Sequence, residues 1–130
     1  MKLNRIYVSE DSRHKLSILK GRTGLLPNVL CRLGLSLSLT EPGVPTPEDY
    51  PADGSEFNRY TLMGEWDSLI VALLKERRAS DGLDINDDSL ADQFRAHLNR
   101  GVGLLYARVK GLSDLVGLLP KEPVKLFEEV

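Results

Sequence analysis

Cationic side chains crowd the first third of this 130-residue chain. Lys2, Arg5, Arg13, Lys15, Lys20, Arg22 and Arg32 stand there against Glu10 and Asp11, a local net charge of +5. Residues 41–130 carry ten Lys/Arg and seventeen Asp/Glu, so the whole chain is −2. A basic module inside a mildly acidic chain points to a polyanion partner, nucleic acid first. Lys and Arg that neutralise phosphates release condensed counterions. Lys2, Arg5, Arg13, Lys15, Lys20 and Arg22 are the candidate contacts to such a backbone.

Other chemistry is thinly supplied. Catalysis needs a nucleophile or metal, a base and an orienter, and the chain has Cys31, His14 and His97. Cys31 lies in the most apolar stretch, whereas a reactive thiol needs an exposed, electropositive setting. It reads as a small buried hydrophobe, with sulfur carriage as the sharper alternative. Asp81, Asp84, Asp87 and Asp88 match a calcium loop only in acid count, so capping and solvation account for them. Gly101-Val102-Gly103 is a lone Gly-x-Gly that follows no strand, which gives a phosphate-loop reading little support, and Gly101 reads as a helix terminus. His97-Leu98-Asn99-Arg100-Gly101 brings an imidazole, an amide and a guanidinium to a helix C-terminus. Capping and dipole complementarity account for Asn99 and Arg100; a ligand role is the alternative. The inventory predicts no enzyme activity, no cofactor and no metal.

The basic residues need elements to hold them. Leu3 to Val8 favours a short strand or extended arm. Ser9 is a good N-cap, with Glu10 and Asp11 in the first turn of a helix ending near Lys20-Gly21. The next helix starts at Thr23 or Gly24, with Pro27 in its first turn. Leu26, Val29, Leu30, Leu33 and Leu37 follow helical spacing, but Leu25, Cys31, Leu35 and Leu39 fall on other sides. A helix apolar nearly all round is buried all round, at the domain centre or, the favoured reading, partly against another subunit. Leu26, Val29, Leu30, Leu33 and Leu37 are therefore the candidate oligomer interface.

Glu41 to Ser55, with four prolines, is an extended loop that wraps a neighbour or stays mobile. Trp66 to about Arg78 is a helix with Trp66, Leu69, Ile70, Leu73 and Leu74 on one side. A further helix, capped by Asp87 or Asp88, closes at Gly101. Helical pieces continue over Val102–Lys110 and Leu112–Leu119, followed by a short amphipathic tail, Lys121 to Val130. The expected fold is mainly α: a small helical domain with a short N-terminal strand, a ribbon-helix-helix-like N-terminal module and C-terminal helices. The chain reads as a single domain, 1–130. It comprises a basic module at 1–40, a Pro-rich loop at 41–58 and an acidic helical part at 59–130. One cysteine, no leader-like apolar run and no stretch of roughly 20 apolar residues suggest a cytoplasmic protein without membrane contact.

The segment Arg22-Thr23-Gly24-Leu25-Leu26-Pro27-Asn28-Val29-Leu30-Cys31-Arg32 resembles the DNA sulfur modification protein DndE family. The segment from His97 to Gly103 and the opening Asn4-Arg5-Ile6-Tyr7-Val8 resemble it too. The resemblance implies a role in bacterial DNA phosphorothioation, in which sulfur replaces a non-bridging backbone oxygen. It assigns the chemistry to other members of that system: a cysteine desulfurase, an iron–sulfur protein and an ATPase-like protein. It implies a tetrameric DNA-binding component with affinity for nicked double-stranded DNA. Its surface-lysine binding residues carry over to Lys2, Lys15 and Lys20.

The expectation is therefore a non-catalytic oligomer that binds double-stranded, nicked DNA through its basic N-terminal surface, beside the other DNA sulfur modification proteins. A ribbon-helix-helix repressor reading a palindrome, and a scaffold that docks the modification enzymes, are the competing readings.

Overall fold

Ser9 separates the first strand from the first helix. Its backbone is extended, and its Oγ accepts the Ser12 N–H at 3.1 Å, the predicted N-cap. A computed structural model describes residues 4–84 and 86–118. In it β1 spans Arg5–Tyr7 and α1 spans Glu10–Thr23. α1 runs past the expected end at Gly21. Thr23 Oγ1 bonds the Leu19 carbonyl at 2.8 Å and accepts the Leu25 N–H at 3.1 Å, which holds the last turn together. The left-handed residue is consequently Gly24, at φ 76. α2 (Pro27–Thr40) begins with its proline in the first turn, where a missing N–H costs nothing.

β1 is paired within the chain. β2 (Glu56–Asn58) lies antiparallel to it, with Arg5 opposite Asn58, Ile6 opposite Phe57 and Tyr7 opposite Glu56. The expected strand-helix-helix order is present, but the strand that would pair with a second subunit in a ribbon dimer pairs here with β2. A Cβ on Gly54 would lie 2.4 Å from the Ser9 carbonyl oxygen, so only glycine lets this loop close on the strand. Asn58 then caps α3 (Arg59–Met63) by accepting the Tyr60 and Thr61 N–H groups. Neither β2 nor α3 was legible among the prolines that precede them.

The Pro-rich loop packs along its own chain. It meets α5 (Asp87–Arg108), where Gln93 Nε2 donates to the Pro45 carbonyl at 3.0 Å and Arg95 Nε to that of Tyr50 at 2.8 Å. α5 is continuous through Gly101, against the expected break there; Asn86, not Asp87 or Asp88, caps it. Gly101 is needed because α2 and α5 touch backbone to backbone: a Cβ on Gly101 would sit 1.9 Å from the Gly34 oxygen. The buried face of α2, including Leu30, Cys31, Gly34, Leu35 and Ser38, thus lies at the centre of one protomer's core.

α4 (Asp67–Ser80) corrects the predicted stripe. It buries Val71, Leu74 and Arg78 and leaves Leu69 and Leu73, with Trp66 at its N-cap, about half exposed, at 52%, 48% and 50%. Arg78 can be buried because its guanidinium donates to Gln93 Oε1 at 3.0 Å and to the Asp84 carbonyl at 2.7 Å. After α5 the chain forms a 3-10 segment, Leu112–Leu118. The expected tail helix at Lys121–Val130 lies outside the described residues. Among the described residues no helix is long and apolar enough to cross a membrane.

Candidate nucleic-acid interface

α1 carries most of the candidate cations, and its periodicity sorts them. Its buried stripe is Ser12, Leu16, Leu19 and Thr23. Arg13 and Lys20 lie two turns apart on one flank of that stripe, and Lys15 and Arg22 two turns apart on the other, roughly 160° around the helix axis. The cations therefore occupy two flanks of α1 rather than one shared face.

Their partners differ as well. Arg5 reaches Glu56 at 3.2 Å across the β1–β2 pair. Arg13 is held by Glu10, with Nε donating at 2.9 Å; the pair raises the guanidinium's pKa and lowers the carboxyl's. Lys15 meets Asp11 at 2.7 Å. Lys20 is exposed and, with Arg22, has no carboxylate partner among the described residues. Lys2 lies outside the described residues.

Lys15 and Arg22 converge on a residue the sequence reading passed over. Arg22 Cζ stands 4.8 Å from the centre of the Tyr106 ring, Lys110 Nζ 5.5 Å and Lys15 Nζ 5.6 Å. Arg22 also donates to the carbonyls of Tyr106 and Val109, at 3.4 and 3.3 Å, at the C-terminal end of α5 where cations are favoured. The signal was available. The run from His97 to Ser113 contains Arg100, Arg108 and Lys110 and no carboxylate, but it is hidden inside an acidic half.

The remaining candidates are absorbed by the fold. Cys31 is fully buried, and burial pushes its thiol up to about 12, which keeps it protonated at neutral pH. Asn99 Oδ1 accepts the Ser9 N–H at 2.9 Å and its amide donates to Arg95. Arg100 and Arg77 both donate to carbonyls at the C-terminal end of α2, Arg100 to Ser38 at 2.7 Å and Arg77 to Leu39 at 2.8 Å. No group of three or more His, Cys, Asp or Glu among the described residues could hold a metal ion.

Leu30, one of the expected interface residues, is a core residue at 0% exposure. Leu26 is exposed, and Val29, Leu33 and Leu37 are half-buried. Val29 and Leu33 border an open groove of about 360 Å³ whose other wall is Trp66, just before α4, and Leu69, Ile70 and Leu73 of α4.

Comparison with known proteins places this arrangement. The crystal structure of DndE from Escherichia coli B7A, a protein involved in DNA phosphorothioation modification, has a similar fold. It is 26% identical with a TM-score of 0.68, covering 81% of this chain and 98% of that one. A DndE mutant with two glycines changed to lysine is similar in fold at 24% identity and a TM-score of 0.66, over 81% of this chain and 99% of its own. A search of curated proteins finds no match. The family model for DNA sulphur modification protein DndE matches residues 5–111, a span that takes in the paired strand, the Gly34–Gly101 crossing and the Tyr106 cluster, and the chain belongs to that family.

Proposed function

We propose that this protein is a non-catalytic, DNA-binding component of a DNA phosphorothioation system. It acts as a homo-oligomer, a tetramer, alongside the other DNA sulfur modification proteins in the cytoplasm. The observation that carries the reading is the C-terminal half of α1: Lys20 and Arg22 lack carboxylate partners among the described residues of a chain whose family modifies DNA. Contacts to phosphates position a protein without reading bases. A nicked duplex bends at lower cost than an intact one, so it follows a curved basic surface more readily. The β1–β2 pairing within the chain favours this over a ribbon-helix-helix repressor, whose strand must pair with its twin.

Competition between intact and singly nicked duplexes of identical sequence tests the nick preference, and equal affinities overturn it. For about six neutralised phosphates the log–log dependence of affinity on salt should have a slope of roughly −5. A slope near zero rejects the electrostatic contact.

The groove between α2 and α4 is the surface we assign to self-association. Val29, Leu33, Trp66, Leu69 and Leu73 form an apolar strip, and removing such a strip from water is what holds subunits together. Leu69→Asp puts a charge in the strip at a position half exposed in the protomer. It should lower the mass measured by light scattering to that of the monomer while leaving the circular dichroism of the fold unchanged. An unchanged mass places the interface elsewhere.

A further inference from the structure

Arg22 and Lys110 donate to carbonyls at the C-terminal end of α5, and with Lys15 they gather more positive charge around Tyr106 than one helix end calls for. Three cations lie within 5.6 Å of one ring centre, so every pair is closer than twice that distance, about one Debye length at 0.1 M salt. They repel one another. Lys110 is exposed, and its Nζ donates one long hydrogen bond, 3.4 Å, to the Tyr106 carbonyl. Asp11 offsets the charge of Lys15 at 2.7 Å, and Asp114 accepts the backbone N–H groups of Lys110 and Gly111, so Arg22 and Lys110 are the two heads with no carboxylate ion pair among the described residues. Arg22 commits only NH1 to carbonyl oxygens, and its Nε and NH2 meet no acceptor among the described residues. An anion placed among these heads turns mutual repulsion into attraction on three sides.

We infer that Lys15, Arg22 and Lys110 form a subsite for one backbone phosphate of DNA, with Tyr106 as the positioning residue that gathers them. The inference rests on the DNA-binding reading above and extends it: the subsite joins α1 to the end of α5 and so crosses out of the basic N-terminal third. A tetrahedral oxyanion offers acceptors to all three heads at once, and a guanidinium with two free N–H groups suits it. The ring is sheathed by cations, so it does not stack a base, and the subsite carries no sequence information.

Anisotropy of a labelled duplex titrated with the full chain over a range of salt reads the subsite. Lys110→Gln should weaken binding roughly fivefold to tenfold at 0.1 M salt and reduce the slope by about 1. Lys15→Gln, whose ammonium is already paired with Asp11, should act in the same direction by only about twofold to threefold. Arg13→Gln, whose guanidinium is already held by Glu10, should change affinity less than twofold. Tyr106→Phe keeps the ring and should bind like the unmodified protein, whereas Tyr106→Leu should lose slope as Lys110→Gln does. Unmodified protein that binds while Lys110→Gln matches it in affinity and slope overturns the subsite and leaves DNA binding standing. Equal slopes for the Phe and Leu variants remove Tyr106 from it. No binding by the unmodified protein overturns the subsite and the DNA-binding reading together.

Discussion

Gly101→Ala is expected to destabilise the protein by about 3 kcal/mol, whereas Gly103→Ala, two residues along the same helix, should stabilise it by roughly 0.5–1 kcal/mol. Both glycines lie inside α5, where alanine is the better helix former. What separates them is space. Nothing lies within 4 Å of a Cβ built on Gly103. A Cβ on Gly101 would fall 1.9 Å from the Gly34 oxygen, 2.2 Å from its carbonyl carbon and 2.9 Å from the Leu35 nitrogen. Those are backbone atoms of α2 and cannot rotate away, so the two helices must part. Parting them loosens the layer in which Leu30, Leu35, Leu98, Val102 and Leu105 are buried together. Inserted methyl groups in a tight core cost about 1–3 kcal/mol or more, and this one loses the benefit of side-chain relief. Gly34→Ala should be milder, because its nearest approach is 2.8 Å. Urea-unfolding midpoints order the variants. A Gly101→Ala midpoint at or above that of the unmodified protein would refute the close crossing.

That crossing also shows where the sequence is silent. A glycine after a periodic stretch most often closes a helix, and Gly101 was read so. Whether it closes a helix or admits another depends on Gly34, sixty-seven positions away, and no local pattern links the two. Local signals performed where local physics decides: the Ser9 cap, Pro27 in the first turn of α2 and the burial of Cys31 all followed from a few neighbouring residues. The two long-range pairings were invisible for the same reason as the crossing. β2 is three residues long and draws its identity from β1. Arg77 and Arg100 looked like ordinary C-terminal cations of their own helices, yet both cap α2. For the candidate site, charge counting identified Lys15 and Arg22. It missed Tyr106 and Lys110, because net charge over 90 residues averages away a short carboxylate-free run. The apolar excess on α2 was likewise real but divided: one side meets α5, and the other, with Trp66 and with Leu69 of α4, is left open.

His97 should make stability fall by about 3 kcal/mol between pH 6.5 and pH 4. The imidazole is fully buried, and Arg100 Nε–H donates to Ser38 Oγ at 2.8 Å. Ser38 Oγ and His97 Nδ1 share a hydrogen bond at 2.9 Å. Nε2 has no hydrogen-bond partner among the described residues. A second proton would create a buried cation beside Arg100, Arg77 and Arg78, opposed among the described residues by Asp81. Burial first, and those guanidiniums second, lower the pKa to about 4. An unfolded chain takes up that proton near pH 6.5. Between the two values the unfolded state holds more protons, so acidification favours it. The contribution is complete above pH 6.5, declines as pH falls, and is gone at about 4. Most carboxylates titrate at the lower edge of this window, so the upper part belongs to His97. Unfolding free energies measured in urea at pH 7, 6, 5 and 4.5 should follow this curve. In His97→Gln, whose neutral amide can still face Ser38, the slope above pH 5 should vanish even though the starting stability is lower. A His97→Gln variant that keeps the full slope would place the titrating group elsewhere.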